Sequence, residues 1–334
     1  MTTRLADVIV PEVFTNYVVE NSVVKSNLVQ SGLVASNAAM AEQLRAGADS
    51  FSVPFWRDLG DDAANLANDD PSSIAAPRKL TAGKQIVRKS FLHGSWGAMN
   101  LASELAGDDA LARIQSRVAA YWTREAQRRL VATLGGILAE NIANGDGDML
   151  NDSGSAFNAA GVIDTAGTLG DSLRDVVAVA MHSKVYTLAL KNDLIQTIPD
   201  SQGGFIQTFR GLGILVDDGM PVENIAQDPE TDPAVWAYTT VLFGAGAIGY
   251  ALTAPRIAQG TEIENIPASG NGGGQQILHS RVNLAIHPLG YQWKESSVAA
   301  DSPSTEELAM AGNWTRVAGD RKHVPIAFYR HTLA

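Results

Sequence analysis

Asp109-Ala-Leu-Ala-Arg-Ile-Gln-Ser-Arg-Val-Ala-Ala-Tyr-Trp-Thr-Arg-Glu-Ala-Gln-Arg-Arg-Leu-Val-Ala-Thr-Leu-Gly-Gly-Ile-Leu-Ala-Glu-Asn-Ile-Ala143 is the strongest local signal in the sequence. Leu111, Ile114, Val118, Tyr121, Trp122, Leu130, Leu134, Ile137 and Leu138 recur at steps of three and four, which predicts one helix with a single apolar stripe. Asp108 or Asp109 can cap its start, and Glu125 with Arg129 forms an i, i+4 pair. At a rise of ~1.5 Å per residue such a helix spans about 50 Å, more than the width of a small domain, so it acts as a beam. Gly135 and Gly136 inside it each cost about 1 kcal/mol relative to Ala, which predicts a bend or a close backbone contact there.

Upstream, Phe51-Ser-Val-Pro-Phe-Trp56 reads as a strand whose Pro54 favours an edge, and Gln85-Ile-Val-Arg-Lys-Ser-Phe-Leu-His93 as its return. Residues 57 to 81 between them are rich in Asp, Asn, Ser, Pro and Ala and cannot form a core of their own. The expectation is a long hairpin with a polar tip, projecting from the body. Asp58, Asp61, Asp62, Asp69 and Asp70 lie on its outgoing half, and Arg78, Lys79, Lys84, Arg88 and Lys89 on its return. Either the two halves neutralise each other, or each faces an oppositely charged surface on a neighbouring subunit. These ten residues are the candidate intersubunit contacts. Residues 1 to 50, mixed polar and apolar, read as an extended or partly helical arm.

Downstream, a Gly- and Asp-rich loop at Asn144 to Gly154 leads into alternating pieces. Leu169 to Ser183 and Lys184 to Asp193 read as helices, Gly211 to Asp217 as a strand followed by a turn at Asp218-Gly-Met-Pro221, and Trp236 to Phe243 as a core strand. Gly270-Asn-Gly-Gly-Gly274 reads as a flexible loop before an alternating strand from Leu278 to His287. The order predicts α+β construction, without internal repeats or strict βαβ alternation.

The composition bounds the function. The 334 residues allow about two domains at ~150 residues each. Hydrophobic residues at 45% against charged residues at 18% predict surface buried against partners. The absence of cysteine removes disulfides and thiolate sites. A net charge of −11 argues against a phosphate-binding surface and against sequence-specific reading of DNA, though an acidic wall can enclose it. The N-terminus Met1-Thr-Thr-Arg-Leu-Ala-Asp7 lacks the regions of a signal peptide, which predicts synthesis and use in the cytoplasm. Ala234 to Pro255 is uncharged over 22 residues, but its Thr, Gly, Val, Trp and Tyr content fits buried strands better than a membrane helix.

Gly244-Ala-Gly-Ala-Ile-Gly249 is a complete GxGxxG after a strand, with Glu262 and Glu264 downstream, and alone it matches a dinucleotide fingerprint. Pro255 cuts short the helix that should follow, so close packing at a strand end is the expected role. Gly145-Asp-Gly-Asp-Met-Leu-Asn-Asp152 lacks the spacing and terminal Glu of a calcium loop and reads as a solvated turn. Among the scattered histidines, His279 and His287 are too far apart for a local metal clip, and His287 reads as packed and hydrogen-bonded. No catalytic, cofactor or metal residue is therefore assigned.

The order of parts resembles the tailed-bacteriophage major capsid family, the Hong Kong 97-like fold. Local phrases carry the same likeness: Met181-His-Ser-Lys-Val-Tyr186, Gly213-Ile-Leu-Val-Asp-Asp-Gly-Met-Pro221, Tyr238-Thr-Thr-Val-Leu-Phe-Gly244 and Ile286-His-Pro-Leu-Gly-Tyr-Gln-Trp293. The resemblance implies an N-terminal arm at 1–50, an extended hairpin at 51–94, a spine helix with part of a peripheral domain at 95–165, an axial domain at 166–265, and a return to the peripheral domain at 266–334. It implies a structural protein, not an enzyme, that forms hexamers and pentamers of an icosahedral head around double-stranded DNA. Scaffolding, portal and decoration proteins would be its partners, the virion its location, and the host bacterial cytoplasm its place of assembly. Some members crosslink Lys to Asn; Lys79, Lys84 and Lys89 lie on the hairpin, but no matching acceptor and acid are evident, so crosslinking is not carried over. The alternatives are an encapsulin-like nanocompartment shell and a nucleotide-binding oxidoreductase resting on Gly244 to Gly249.

Overall fold

The computed structural model describes residues 2–3, 34–36, 38–57, 63–67, 69–72, 74, 77–199, 205–225 and 235–333. Short strands β1 (Thr2–Thr3) and β2 (Val34–Ser36) precede helix α1 (Ala38–Arg45). The hairpin follows as β3 (Ser50–Trp56) and β4 (Ala82–Arg88), and the chain continues from β4 into β5 (Ser90–Met99) and the short helix α2 (Asn100–Ala106). Helix α3 (Ala110–Asn144) is the beam. After it come β6 (Leu150–Ala156), α4 (Ala159–Gly167), β7 (Val176–Met181), α5 (Ser183–Lys191), β8 (Gln196–Pro199), β9 (Phe205–Phe209), β10 (Leu212–Val216) and β11 (Val222–Asn224). The last part holds β12 (Trp236–Gly244), β13 (Ile248–Thr253), β14 (Thr261–Ile266), β15 (Gln275–Pro288), β16 (Tyr291–Trp293), α6 (Thr305–Leu308), β17 (Trp314–Arg316) and β18 (Ile326–Thr332).

Among the described residues, two sheets carry the body. A six-stranded sheet runs β1-β5-β15-β13-β2, with β14 also on β15, and an eight-stranded sheet runs β6-β18-β12-β7-β10-β9-β8, with β11 on β12. Helix α3 starts where predicted because the Asp109 carboxylate accepts from the Leu111 and Ala112 amides at 2.9 and 3.1 Å, satisfying two of the donors that a helix start leaves open. Its C-terminal half buries Leu130, Leu134 and Ile137 against Phe243, Ile248, Trp293, Trp314 and Phe328, a cluster that joins the two sheets. A second cluster packs Val162 of α4 and Val185 of α5 under Val179, Met181, Tyr238, Leu242 and Tyr329 of the larger sheet.

The uncharged run at 234–255 is explained by this layering. In β12, Val241 and Phe243 face the first cluster while Tyr238 and Leu242 face the second, so both faces are covered and the strand has no polar side. Among the described residues, no helix is long and apolar enough to cross a membrane.

One predicted helix is corrected. Leu169 to Ser183 holds a short 3-10 turn at Gly170–Asp175 and then β7, a central strand parallel to β10 and antiparallel to β12. Val176-Val-Ala-Val-Ala-Met181 is a continuous apolar run in which helix and strand periods cannot be told apart, and the two neighbouring strands supply the ladder bonds that decide it. The 265/266 boundary does not coincide with a change of sheet. The chain leaves the eight-stranded sheet after β12, β13 to β15 belong to the six-stranded one, and β18 returns between β6 and β12.

Candidate assembly surface

The hairpin is a two-stranded ribbon paired from Ser50↔Arg88 to Trp56↔Ala82. Pro54 sits opposite Lys84, and Phe55 covers Gly83, where a Cβ would lie 2.6 Å from its ring. Among the described residues each strand has only the other as strand partner, so the ribbon owes little to the described body beyond its base. Trp56 is 72% exposed, Leu66 92% and Ile74 90%. These three large apolar side chains are held in water, Trp56 at the end of β3 and Leu66 and Ile74 on the connection between β3 and β4.

The candidate charges divide into two groups. Asp69, Asp70, Arg78, Lys79 and Lys84 are exposed along the ribbon, whereas Asp58, Asp61 and Asp62 lie outside the described residues. Asp70 folds back on its own turn, accepting from the Ser72 amide at 2.9 Å and hydroxyl at 2.7 Å, and those bonds hold its carboxyl below the ordinary pKa. Arg78 donates across the hairpin to the Ala63 carbonyl.

Arg88 and Lys89 are corrected out of the set, because they are buried within their own chain. The Arg88 guanidinium pairs with Asp49, with Glu295 at 3.2 Å, and donates to the Asp301 carbonyl at 3.0 Å. Lys89 Nζ donates to the Ala46 carbonyl at 2.8 Å and lies 5.8 Å from the Phe51 ring centre; burial holds its pKa below the ordinary lysine value, partly offset by Asp49. Both residues sit where the ribbon enters the body, and their partners at 46–49 and 295–301 were not legible from local charge pattern.

The N-terminal half of α3 is the other open surface. Trp96, Arg113, Ile114, Arg117, Val118, Tyr121 and Arg124 line a groove of about 310 Å³. Sequence periodicity places Ile114, Val118 and Tyr121 in a core stripe, but here they are only partly buried. The signal for an exposed groove was the interleaved arginines at 113, 117 and 124, of which Arg117 and Arg124 stand three or four positions from the stripe residues Ile114 and Tyr121.

The remaining motifs resolve as packing. Gly244 to Gly249 is a strand-turn-strand link, with β13 where a dinucleotide site requires a helix N-terminus. A Cβ on Gly244 would lie 2.7 Å from Pro325 Cβ, and one on Gly249 2.8 Å from Met40 Sδ. In the Gly145–Asp152 loop, Asp148 pairs with Arg316 at 2.7 Å and accepts from Asn141 at 2.7 Å. His287 is buried on Gln85, whereas His279 meets the His93 ring nitrogen at 3.2 Å and Glu264 at 3.1 Å.

An open ribbon, a long beam helix and two sheets sharing a core define a shell-building chain with the capsid fold of tailed phages. Solved structures carry the same fold: the capsid of the native GTA particle matches with a TM-score of 0.55 at 14% identity, covering 97% of this chain and 95% of that one. The Helicobacter pylori bacteriophage KHP30 capsid matches with a TM-score of 0.57 at 10% identity, covering 96% and 95%. The major capsid protein of Bacillus phage SPP1 is 34% identical over 339 residues, spanning 99% of this chain and 98% of that protein. The Gp13-like family model, described as major capsid protein 13-like, matches residues 98–325. The chain belongs to this Gp13-like family of major capsid proteins, and it is a structural component of a phage head, built from many copies, not an enzyme.

Proposed function

We propose that copies of this chain form the hexamers and pentamers of an icosahedral head, with the hairpin at 51–94 as the principal clamp between neighbours. The observation that carries this is the exposure of Trp56, Leu66 and Ile74, on the ribbon and the connection between its strands. Ordering the polar tip costs about 1–2 kcal/mol per residue, and contacts with a neighbour offset it. The groove on α3 is the receiving surface on that neighbour. Arg113 is paired with Asp108 at 3.0 Å; Arg117 and Arg124 complement Asp58, Asp61, Asp62, Asp69 and Asp70, and the apolar side chains of the groove complement Leu66 and Ile74. Lys79 and Lys84, on the return half of the hairpin, face oppositely charged surface on a neighbouring subunit. Residues 1–50 serve as an arm, 95–165 and 266–334 contribute the peripheral domain, and 166–265 the axial domain.

The head encloses double-stranded DNA without reading its sequence, since a net charge of −11 repels phosphate and leaves the contents free of the wall. Scaffolding, portal and decoration proteins are its partners, and assembly takes place in the host bacterial cytoplasm. Replacing residues 58–80 by a short Gly-Ser turn tests the clamp. The helical circular-dichroism signal and melting transition stay, while electron microscopy shows no shells. Regular shells from the truncated chain overturn the clamp, and an unfolded chain assigns the hairpin to the core.

A further inference from the structure

At the root of the hairpin a small cavity of about 10 Å³ is lined by residues of β4, β5, α3, β15, β16, α6 and β17, among them Arg88, Ser90, Thr133, His287 and Trp293. That is close to the least space a single water molecule needs. Independently, four side-chain atoms of residues in this lining are buried without a hydrogen-bond partner, Arg88 Nε and Nη1, Thr133 Oγ1 and Trp293 Nε1; Nη1 is ion-paired with Asp49, which leaves three. Arg88 is 8% exposed, Thr133 0% and Trp293 2%, so solvent outside the fold does not satisfy them. An orphaned buried polar atom costs about 1–3 kcal/mol, and three around one void is far from the usual pattern.

We propose that this cavity is a binding site for one structural water molecule, which ties the hairpin root to the spine helix. The chemistry of the three atoms fits one water. Arg88 Nε–H and Trp293 Nε1–H are donors only, whereas the Thr133 hydroxyl can accept, so the water accepts twice and donates once. Buried waters make about three such bonds. The neighbouring groups are already engaged. The other Arg88 nitrogens hold Asp49, Glu295 and the Asp301 carbonyl, Arg129 Nη1 holds the Pro303 carbonyl at 2.9 Å, and His287 Nε2 holds Gln85. The Trp314 indole donates to the Leu308 carbonyl at 2.8 Å, so it needs no water although it lines the same space. The water is thus the piece that lets β4, α3 and β16 meet with their polar atoms paired, at the place where the ribbon's leverage on the body is greatest.

A map of the assembled protein at a resolution that shows ordered waters tests the site directly. The expected result is one peak within about 2.7–3.2 Å of Thr133 Oγ1, Trp293 Nε1 and Arg88 Nε. An empty cavity, or side chains turned to pair directly with protein, overturns the proposal. An anomalous peak there after bromide soaking also overturns it, by assigning an anion. Thr133→Val supplies an opposite sign for the two cases. With the water present, the variant strands it and lowers Tm by about 1–2 °C for each 1 kcal/mol lost, the unfolding entropy being about 2.1 cal/mol/K per residue. In a dry cavity the same change removes an orphaned hydroxyl and raises Tm. Thr133→Ser keeps the hydroxyl, and its map should retain the peak; should Thr133→Val fail to fold, the wild-type and Thr133→Ser maps decide alone.

Discussion

At the scale of single residues, the paired glycines of the spine helix separate cleanly. A Cβ on Gly136 would stand 2.2 Å from the Leu308 carbonyl and 2.6 Å from the Trp314 indole nitrogen, while one on Gly135 meets nothing within 4 Å. Gly136 is therefore the contact through which α6 and β17 reach the helix backbone. Gly136→Ala should lower stability by about 1–3 kcal/mol, whereas Gly135→Ala should raise it by about 0.5–1 kcal/mol through helix propensity. Thermal melts of the two variants side by side check this. Two neighbouring cations of the hairpin make a similar contrast. Arg88→Met leaves Asp49 and Glu295 without their guanidinium and should cost roughly 1–3 kcal/mol, while exposed Lys84→Ser should stay within about 0.5 kcal/mol of wild type.

At the scale of elements, the hairpin and the spine helix are expected to answer to each other between copies. Arg117→Glu with Arg124→Glu should leave the melt nearly unchanged, because Arg117 is exposed and Arg124 only partly buried, yet abolish shells seen by electron microscopy. Lys at Asp61 and Asp62 on the same background should restore them; a charge swap without rescue would move the receiving surface elsewhere. Trp56→Ser, Leu66→Ser and Ile74→Ser combined should likewise spare folding and weaken assembly, since a side chain exposed at 72% or more contributes little to its own core. The helix and the polar tip were legible beforehand because their signals are local: a three-and-four repeat in one, a lack of apolar residues in the other. The groove was not, because the same repeat marks a buried face and a face left open.

For the whole molecule, two buried histidines set a pH window. Burial pushes both His287 and His331 down to about 4, and His331 stays neutral by donating Nδ1–H to the Thr332 carbonyl while Nε2 accepts from the Thr240 hydroxyl, each at 3.0 Å. Below about pH 6.5 the unfolded chain takes up protons that the fold refuses. Stability is therefore full above that pH and falls as pH drops towards 4, with about 3 kcal/mol at stake per histidine. Denaturant titrations at pH 7 and 5.5 should show the loss, and His331→Gln should flatten the slope in that interval, where carboxylates are still ionised. An unchanged slope in the variant would place the proton uptake on other groups.

The sequence by itself determined the beam from Asp109 to the region of Ala143, the projecting hairpin, the acid balance and the buried strand at Trp236 to Phe243, because each is written in composition or in a period that neighbouring residues share. Only the tertiary structure decided that Val176–Met181 is a central strand, that Arg88 and Lys89 belong to the hairpin root, and that Gly244 to Gly249 carries the chain from one sheet to the other. The physical reason is the range of the deciding partner. Strand β7 takes its ladder bonds from residues 213–216 and 241–244, Arg88 finds Glu295 and Asp301, and Gly249 makes room for Met40, all far along the chain and beyond any local period.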